Sequence, residues 1–208
     1  NISSPDLWSG AQLKCFLAQR NVKVSGVVKT GKTPDGARLL ANADSKPLVG
    51  LITDMLKVSN NYVAEMLIKN LAAESGVVPA TLAKGMALFK PYFENHGFKA
   101  GSYKFVNPSG FNRDNQLSSK QIGLFLDSMR SKFSVFPEFL VALPIGGVDG
   151  TLKNRMKKTS AQGWVRAKTG LPNGVVGLAG YAGHPEGHIF TFSFIYNGPG
   201  REDKARDF

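Results

Sequence analysis

Among its 208 residues the chain has one cysteine, Cys15, which rules out an intrachain disulfide and a cysteine-rich metal centre. It also has no apolar run of the roughly 18–20 residues that a membrane-spanning helix needs. Internal repeats and low-complexity tracts are absent as well. Acidic residues are scarce: 15 Asp and Glu face 26 Lys and Arg, a net charge of +11 that suits an anionic partner or surface. Nucleic acid is not expected to be that partner. The basic residues are scattered, and the densest group, Lys153, Arg155, Lys157 and Lys158, has no interleaved aromatic side chains for base stacking. An anionic envelope polymer or a membrane surface fits the charge. The glycine-rich stretch Pro144 to Thr151 lacks the lysine and the spacing of a phosphate-binding loop, which excludes nucleotide binding of that type.

The composition, 42% hydrophobic and 20% charged, is that of a soluble globular chain. Its length suffices for one sizeable domain, or one domain with part of another. The chain opens on Asn1 without an initiator Met and reads as a processed, trimmed or partial product. Ser4-Pro5 predicts the start of a helix over about 5–20, with Cys15 buried among Trp8, Ala11 and Ala18 at helical spacing. Val22 to Val28 alternates as a strand should, and Lys29-Thr30-Gly31 then reads as a surface hairpin tip. Two amphipathic helices are expected over about 47–58 and 62–74, joined by Ser59-Asn60-Asn61. Asn and Ser are favoured helix N-caps, so capping alone could account for that connector. A further helix over 81–95 is disturbed at Pro91, and His96 sits at its end. Lys104 to Asn107 reads as a short strand. Ser118 and Gln121 have capping-box spacing ahead of a helix whose buried stripe is Ile122, Phe125, Leu126, Met129 and Phe133.

The C-terminal third turns β-rich. Trp164 to Gly170 and Val175 to Ala182 flank an Asn173-Gly174 turn signal, and Ile189 to Tyr196 makes a third strand. His184 and His188 lie in a Pro/Gly turn, where they share no helical face, so a metal site is not expected. Arg201 to Phe208 reads as the first turns of a helix. The order of elements gives an α+β architecture, helices packed on an antiparallel sheet. The first strand ends in Lys168-Thr169-Gly170: a cation, a hydroxyl and a position with no side chain at the lip of the sheet. An extended peptide with a free carboxylate could dock there.

Ser59-x-Asn61 and Lys168-Thr169-Gly170 together resemble the second and third signature motifs of the penicillin-recognising serine enzymes. The flanking Met55 to Glu65, Pro108-Ser109-Gly110-Phe111, Leu143 to Leu152 and Val165 to Gly170 resemble the D-Ala-D-Ala carboxypeptidase/endopeptidase family of low-molecular-mass class C penicillin-binding proteins (peptidase S13-like), over about Ser4 to Tyr196. The resemblance implies the transpeptidase/β-lactamase-like fold. It also implies hydrolysis of D-alanyl bonds in peptidoglycan peptides, a periplasmic or extracytoplasmic setting, covalent inhibition by β-lactams, and no metal or organic cofactor. By motif match, Ser59 belongs to a proton-shuttling network and Asn61 bonds the substrate's peptide amide. Lys168 supplies positive potential, Thr169 binds the substrate carboxylate, Gly170 lets the backbone approach, and the N–H of Leu171 contributes to the oxyanion hole.

Two departures qualify the match. Leu171 stands where family members often carry Thr or Ser, which tilts the expectation towards endopeptidase action on crosslinks. No Ser in the chain has a Lys three residues later, so the Ser-x-x-Lys nucleophile motif of the family is not in these 208 residues. The expectation is therefore a C-terminal part of a longer protein. In that reading 1–45 links to an upstream or inserted domain, 46–208 belongs to the catalytic domain, and the N-terminal part of the same protein completes the site. A serine β-lactamase and a non-catalytic peptidoglycan- or β-lactam-binding module are the alternatives.

Overall fold

A computed structural model describes residues 2–111, 113–171 and 174–198. The expected helix at Arg201 to Phe208 and the Asn173 half of the turn signal lie outside the described residues. The chain divides into two compact units, Asn1–Ser45 and Lys46–Phe208.

The first unit holds one helix, α1 (Pro5–Ala18), with Pro5 in its first turn. The expected buried thiol is corrected here: no residue of α1 is buried, and Cys15 is exposed. An apolar spacing buries side chains only where another element covers them. Val22 to Val28 is likewise not a strand, since it has no partner segment to complete its ladder among the described residues, and Lys29-Thr30-Gly31 is therefore not a hairpin tip. The turn lies further on, where Ala37 N–H donates to the Pro34 carbonyl at 3.2 Å.

The second unit is α+β. Helices α2 (Leu48–Val58) and α3 (Asn61–Glu74) flank the Ser59–Asn60 bend. The stretch around Pro91 splits into α4 (Leu82–Ala87) and α5 (Phe89–Asn95), with the break at Leu88. Proline has no N–H, and its ring clashes with the carbonyl four residues back, here Ala87, so the ladder fails just there. His96 caps the end of α5. Lys104 to Asn107 contributes a single bridge, Lys104 to Gln116, rather than a strand. Helix α6 (Ser119–Arg130) opens on the expected capping box, in which Ser118 Oγ accepts from Gln121 N–H and the Gln121 side chain accepts from Ser118 N–H. Phe133 lies beyond the end of α6 and is 91% exposed, so it is no part of the buried stripe. Helix α7 (Phe136–Ala142) comes next, then a 3-10 turn over Gly150–Leu152.

Three strands, β1 (Val165–Gly170), β2 (Val175–Gly183) and β3 (Ile189–Asn197), form an antiparallel meander in the order β1-β2-β3. Both of its faces pack against other elements, although Phe190 and Phe194 of β3 stay exposed on the Val165 face. On one, Val165, Ala167 and Leu178 pack with Leu152. On the other, Tyr181 packs with Leu126 and Leu143, and Leu56 of α2 and Phe136 of α7 join them. Tyr181 is 2% exposed and donates to the Leu126 carbonyl at 2.6 Å; burial pushes its phenol well above the usual tyrosine range. Alternation along β1 sends neighbouring side chains to opposite faces. Thr169 shares the face of Val165 and Ala167, while Lys168, opposite Ala179, shares the Tyr181 face against which α2 packs.

Candidate active site

Helix α2 ends on Ser59, a non-glycine residue in the left-handed region (φ 58, ψ 52). The N–H groups of both Ser59 and Asn60 fold back to the Met55 carbonyl, as in a Schellman ending. Asn60 then caps α3, its Oδ1 accepting from Val63 N–H at 3.1 Å. The capping account of the connector thus holds for Asn60 alone. All three residues of the connector line a cleft of ≈ 950 Å³, so capping does not account for Ser59 and Asn61.

Across the cleft, Lys168 Nζ donates to Ser59 Oγ at 2.8 Å, joining residues 109 apart in sequence. It also donates to the Thr169 carbonyl at 2.7 Å. Burial lowers the Lys168 pKa from its ordinary value, because desolvation disfavours the charged form. Thr169 is 8% exposed and its hydroxyl bonds that of Thr151 at 2.9 Å. Gly170 and Leu171 continue the same wall, and Leu171 is 50% exposed at the lip. All six residues singled out from the sequence (Ser59, Asn61, Lys168, Thr169, Gly170 and Leu171) therefore line one cleft.

Another wall is the loop around Pro108, part of the Pro108-Ser109-Gly110-Phe111 stretch that resembles the family. Asn107 Oδ1 accepts from the Ser109 N–H (3.0 Å), the Ser109 hydroxyl (2.6 Å) and the Gly110 N–H (2.9 Å). Asn115 ties the base of the loop by accepting from Val106 N–H and Asn107 N–H and donating to the Asn107 carbonyl. Ser109 Oγ also meets Glu65 Oε1 of α3 at 3.2 Å. Arg113 lines the cleft too, its guanidinium packed where a Cβ on Gly174 (φ +75) would lie. An Asn ahead of Pro-x-Gly is a recognisable Asx-turn signal and could have found Asn107. Nothing local marks Arg113, because tertiary packing sets its place; Thr151 lies in the Leu143–Leu152 stretch that resembles the family, but its partner Thr169 was not legible there.

The donors in this cleft suit an anionic peptide. Lys168 and Arg113 bring positive charge, Thr169 a hydroxyl and Asn61 an amide. Since Ser59 Oγ accepts from an ammonium, its own proton is free to be donated elsewhere, as a proton relay requires. Among the described residues no group of three or more His, Cys, Asp or Glu could hold a metal ion. No helix there is long and apolar enough to cross a membrane.

Comparison with known proteins agrees with this geometry. The model of the family described as D-Ala-D-Ala carboxypeptidase 3 (S13) matches residues 1–207. The D-alanyl-D-alanine carboxypeptidase of Actinomadura sp. (strain R39) is 31% identical over 205 residues, 95% of this chain and 38% of that protein. The D-alanyl-D-alanine carboxypeptidase DacB of Haemophilus influenzae is 28% identical over 199 residues, 95% of this chain and 41% of that protein. The chain thus spans about two fifths of the length of the curated relatives it matches. The crystal structure of penicillin binding protein 4 (dacB) from H. influenzae superposes with a TM-score of 0.84 at 27% identity, covering 96% of this chain and 44% of that one. A second structure of that protein, complexed with a β-lactam, gives 0.80 at 28%, covering 94% and 45%. The α+β fold is that of a penicillin-binding protein.

Proposed function

Because the chain belongs to the D-Ala-D-Ala carboxypeptidase 3 (S13) family, we propose that it forms part of a serine DD-peptidase that cleaves D-alanyl bonds of peptidoglycan peptides outside the cytoplasmic membrane. The observation that carries this reading is the 2.8 Å contact between Lys168 Nζ and Ser59 Oγ in the shared cleft. The chain has no Ser-x-x-Lys, so the nucleophile comes from sequence outside these 208 residues, and 1–45 is the segment connecting to it. That serine attacks the D-alanyl carbonyl carbon and forms an ester as the C–N bond breaks. Its proton passes through the motif lysine and the Ser59 hydroxyl to the leaving nitrogen, and water then hydrolyses the acyl-enzyme.

Each residue of the cleft has a place in that sequence. Lys168 keeps Ser59 oriented and, with Arg113, attracts the substrate carboxylate. Thr169 bonds that carboxylate and Asn61 the substrate amide, while Gly170 leaves room for the peptide. The N–H of Leu171 stabilises the oxyanion, a contribution worth about 10²–10³ in rate for a donor of this kind. The aliphatic Leu171 at the lip offers no second hydroxyl to a carboxylate, which favours endopeptidase action on crosslinks over strict carboxypeptidase action. β-Lactams would acylate the same nucleophile.

In the full-length protein, Lys168→Ala should abolish acylation by a fluorescent penicillin while leaving the protein folded. Normal labelling of that folded variant would refute the assignment. The lack of a Ser-x-x-Lys supports one other reading, a binding module without a nucleophile. In that case wild-type protein would bind penicillin reversibly and form no adduct.

A further inference from the structure

One ion pair in this unit lies beside the cleft without lining it. Lys57, in the last turn of α2, donates to Asp149 Oδ2 at 2.7 Å and to the Leu143 carbonyl at 2.6 Å. Asp149 Oδ1 in turn accepts from Ile145 N–H at 2.8 Å. Together these bonds close the glycine-rich segment 143–149 into a ring and fasten it to α2. The Lys57 side chain is only 17% exposed, and Asp149 is 38% exposed. The lysine end is largely withdrawn from solvent while the carboxylate still reaches water, so loss of Asp149 would leave the Lys57 ammonium desolvated without its counter-charge.

The consequence lies in what the two residues lead to. Two positions after Lys57 comes Ser59. Immediately after Asp149, Gly150 adopts φ +55 with its Cα so close to α2 that a Cβ would stand 2.7 Å from the Lys57 carbonyl oxygen. The next residue, Thr151, meets the Thr169 hydroxyl. One arm therefore ends at Ser59 and the other at Thr169, beside Lys168, and the Lys168–Ser59 hydrogen bond closes the circuit.

We propose that Lys57 and Asp149 are positioning residues, a clasp that sets the separation of Ser59 from Lys168 and Thr169; this rests on the peptidase reading above. Neither residue touches substrate. Their effect is felt where proton transfer needs Ser59 in place, and a displacement of about 1 Å at such a site can cost on the order of 10²-fold in rate.

The test is single-turnover acylation of the full-length protein by a fluorescent penicillin, resolving reversible binding from the acylation step. Lys57→Met should slow the acylation step about tenfold or more and leave reversible binding unchanged, and Lys57→Arg should restore most of the rate. Should Lys57→Met fail to fold, Asp149→Asn decides, because its amide oxygen can still accept from Ile145 N–H while an NH2 donor replaces the oxygen that Lys57 binds, breaking the pair; it too should slow acylation. A folded Lys57→Met or Asp149→Asn protein acylated at the wild-type rate would overturn the clasp. So would a loss that vanishes once the folded fraction is counted. Lys168→Ala, run alongside, separates the two claims. If it labels normally, or wild type labels not at all, the peptidase reading falls and the clasp with it. If it is dead while the clasp variants are normal, only the clasp falls.

Discussion

Ser59 occupies a left-handed backbone conformation that costs an L-residue about 1–2 kcal/mol, in a place where glycine is the common helix ending. Glycine would avoid that cost but would carry no hydroxyl, and the hydroxyl is what Lys168 binds. Lys168 carries a cost as well, since burial lowers its pKa below the ordinary 10.5. In the window between its lowered pKa and 10.5 the unfolded chain holds the proton more tightly, so the fold gains stability as pH rises. Lys168→Met removes that gain. The stability difference between the two proteins should therefore shift in favour of wild type as pH rises through the window, measured as denaturant midpoints at neutral and alkaline pH. A difference that stays constant would mean that Lys168 titrates alike in both states. At this scale the sequence was half legible. Lys-Thr-Gly occurs twice, at Lys29 and Lys168, and only the long return strand after Lys168 distinguished them. Arg113 carried no mark, and Thr151 only its place in the Leu143–Leu152 stretch, because distant segments bring both to the cleft.

Among the elements, those with their own punctuation were readable. The Ser118–Gln121 capping box, the Pro5 start of α1 and the break ahead of Pro91 are local chemistry and stand where expected. Helix α7 was not foreseen, since seven residues with a proline near the start are too short to show a period. Val22 to Val28 failed for the opposite reason: alternation is necessary for a strand, but the ladder needs a partner. The cap of α6 bears on the site at one remove, because α6 supplies the Leu126 carbonyl that holds Tyr181 under the sheet. Ser118→Ala should lower stability by about 1 kcal/mol, read from the denaturant midpoint. It should leave penicillin acylation of the folded protein unchanged. No loss of stability would show that Gln121, which also bonds Ser102 through its Nε2, holds the helix start unaided.

At the scale of the whole molecule, two polar segments from different layers meet: a bend between helices and the lip of a sheet. The order and neighbours of the motifs made that meeting foreseeable, while the Lys57–Asp149 clasp behind it was not, because 92 residues separate its halves. The alternation of β1 explains the division of labour, with Lys168 turned to α2 and Thr169 to Thr151. The net charge of +11 suits an anionic partner or surface. Whether the acyl group is made in this cleft can be seen in a crystal structure of the full-length protein acylated with a penicillin. The expected result is an ester on a serine outside these 208 residues, with the acyl chain lying between Asn61 and the Lys168–Leu171 strand and Ser59 within hydrogen-bond reach of the adduct. An adduct anchored away from Ser59 and Lys168 would contradict it.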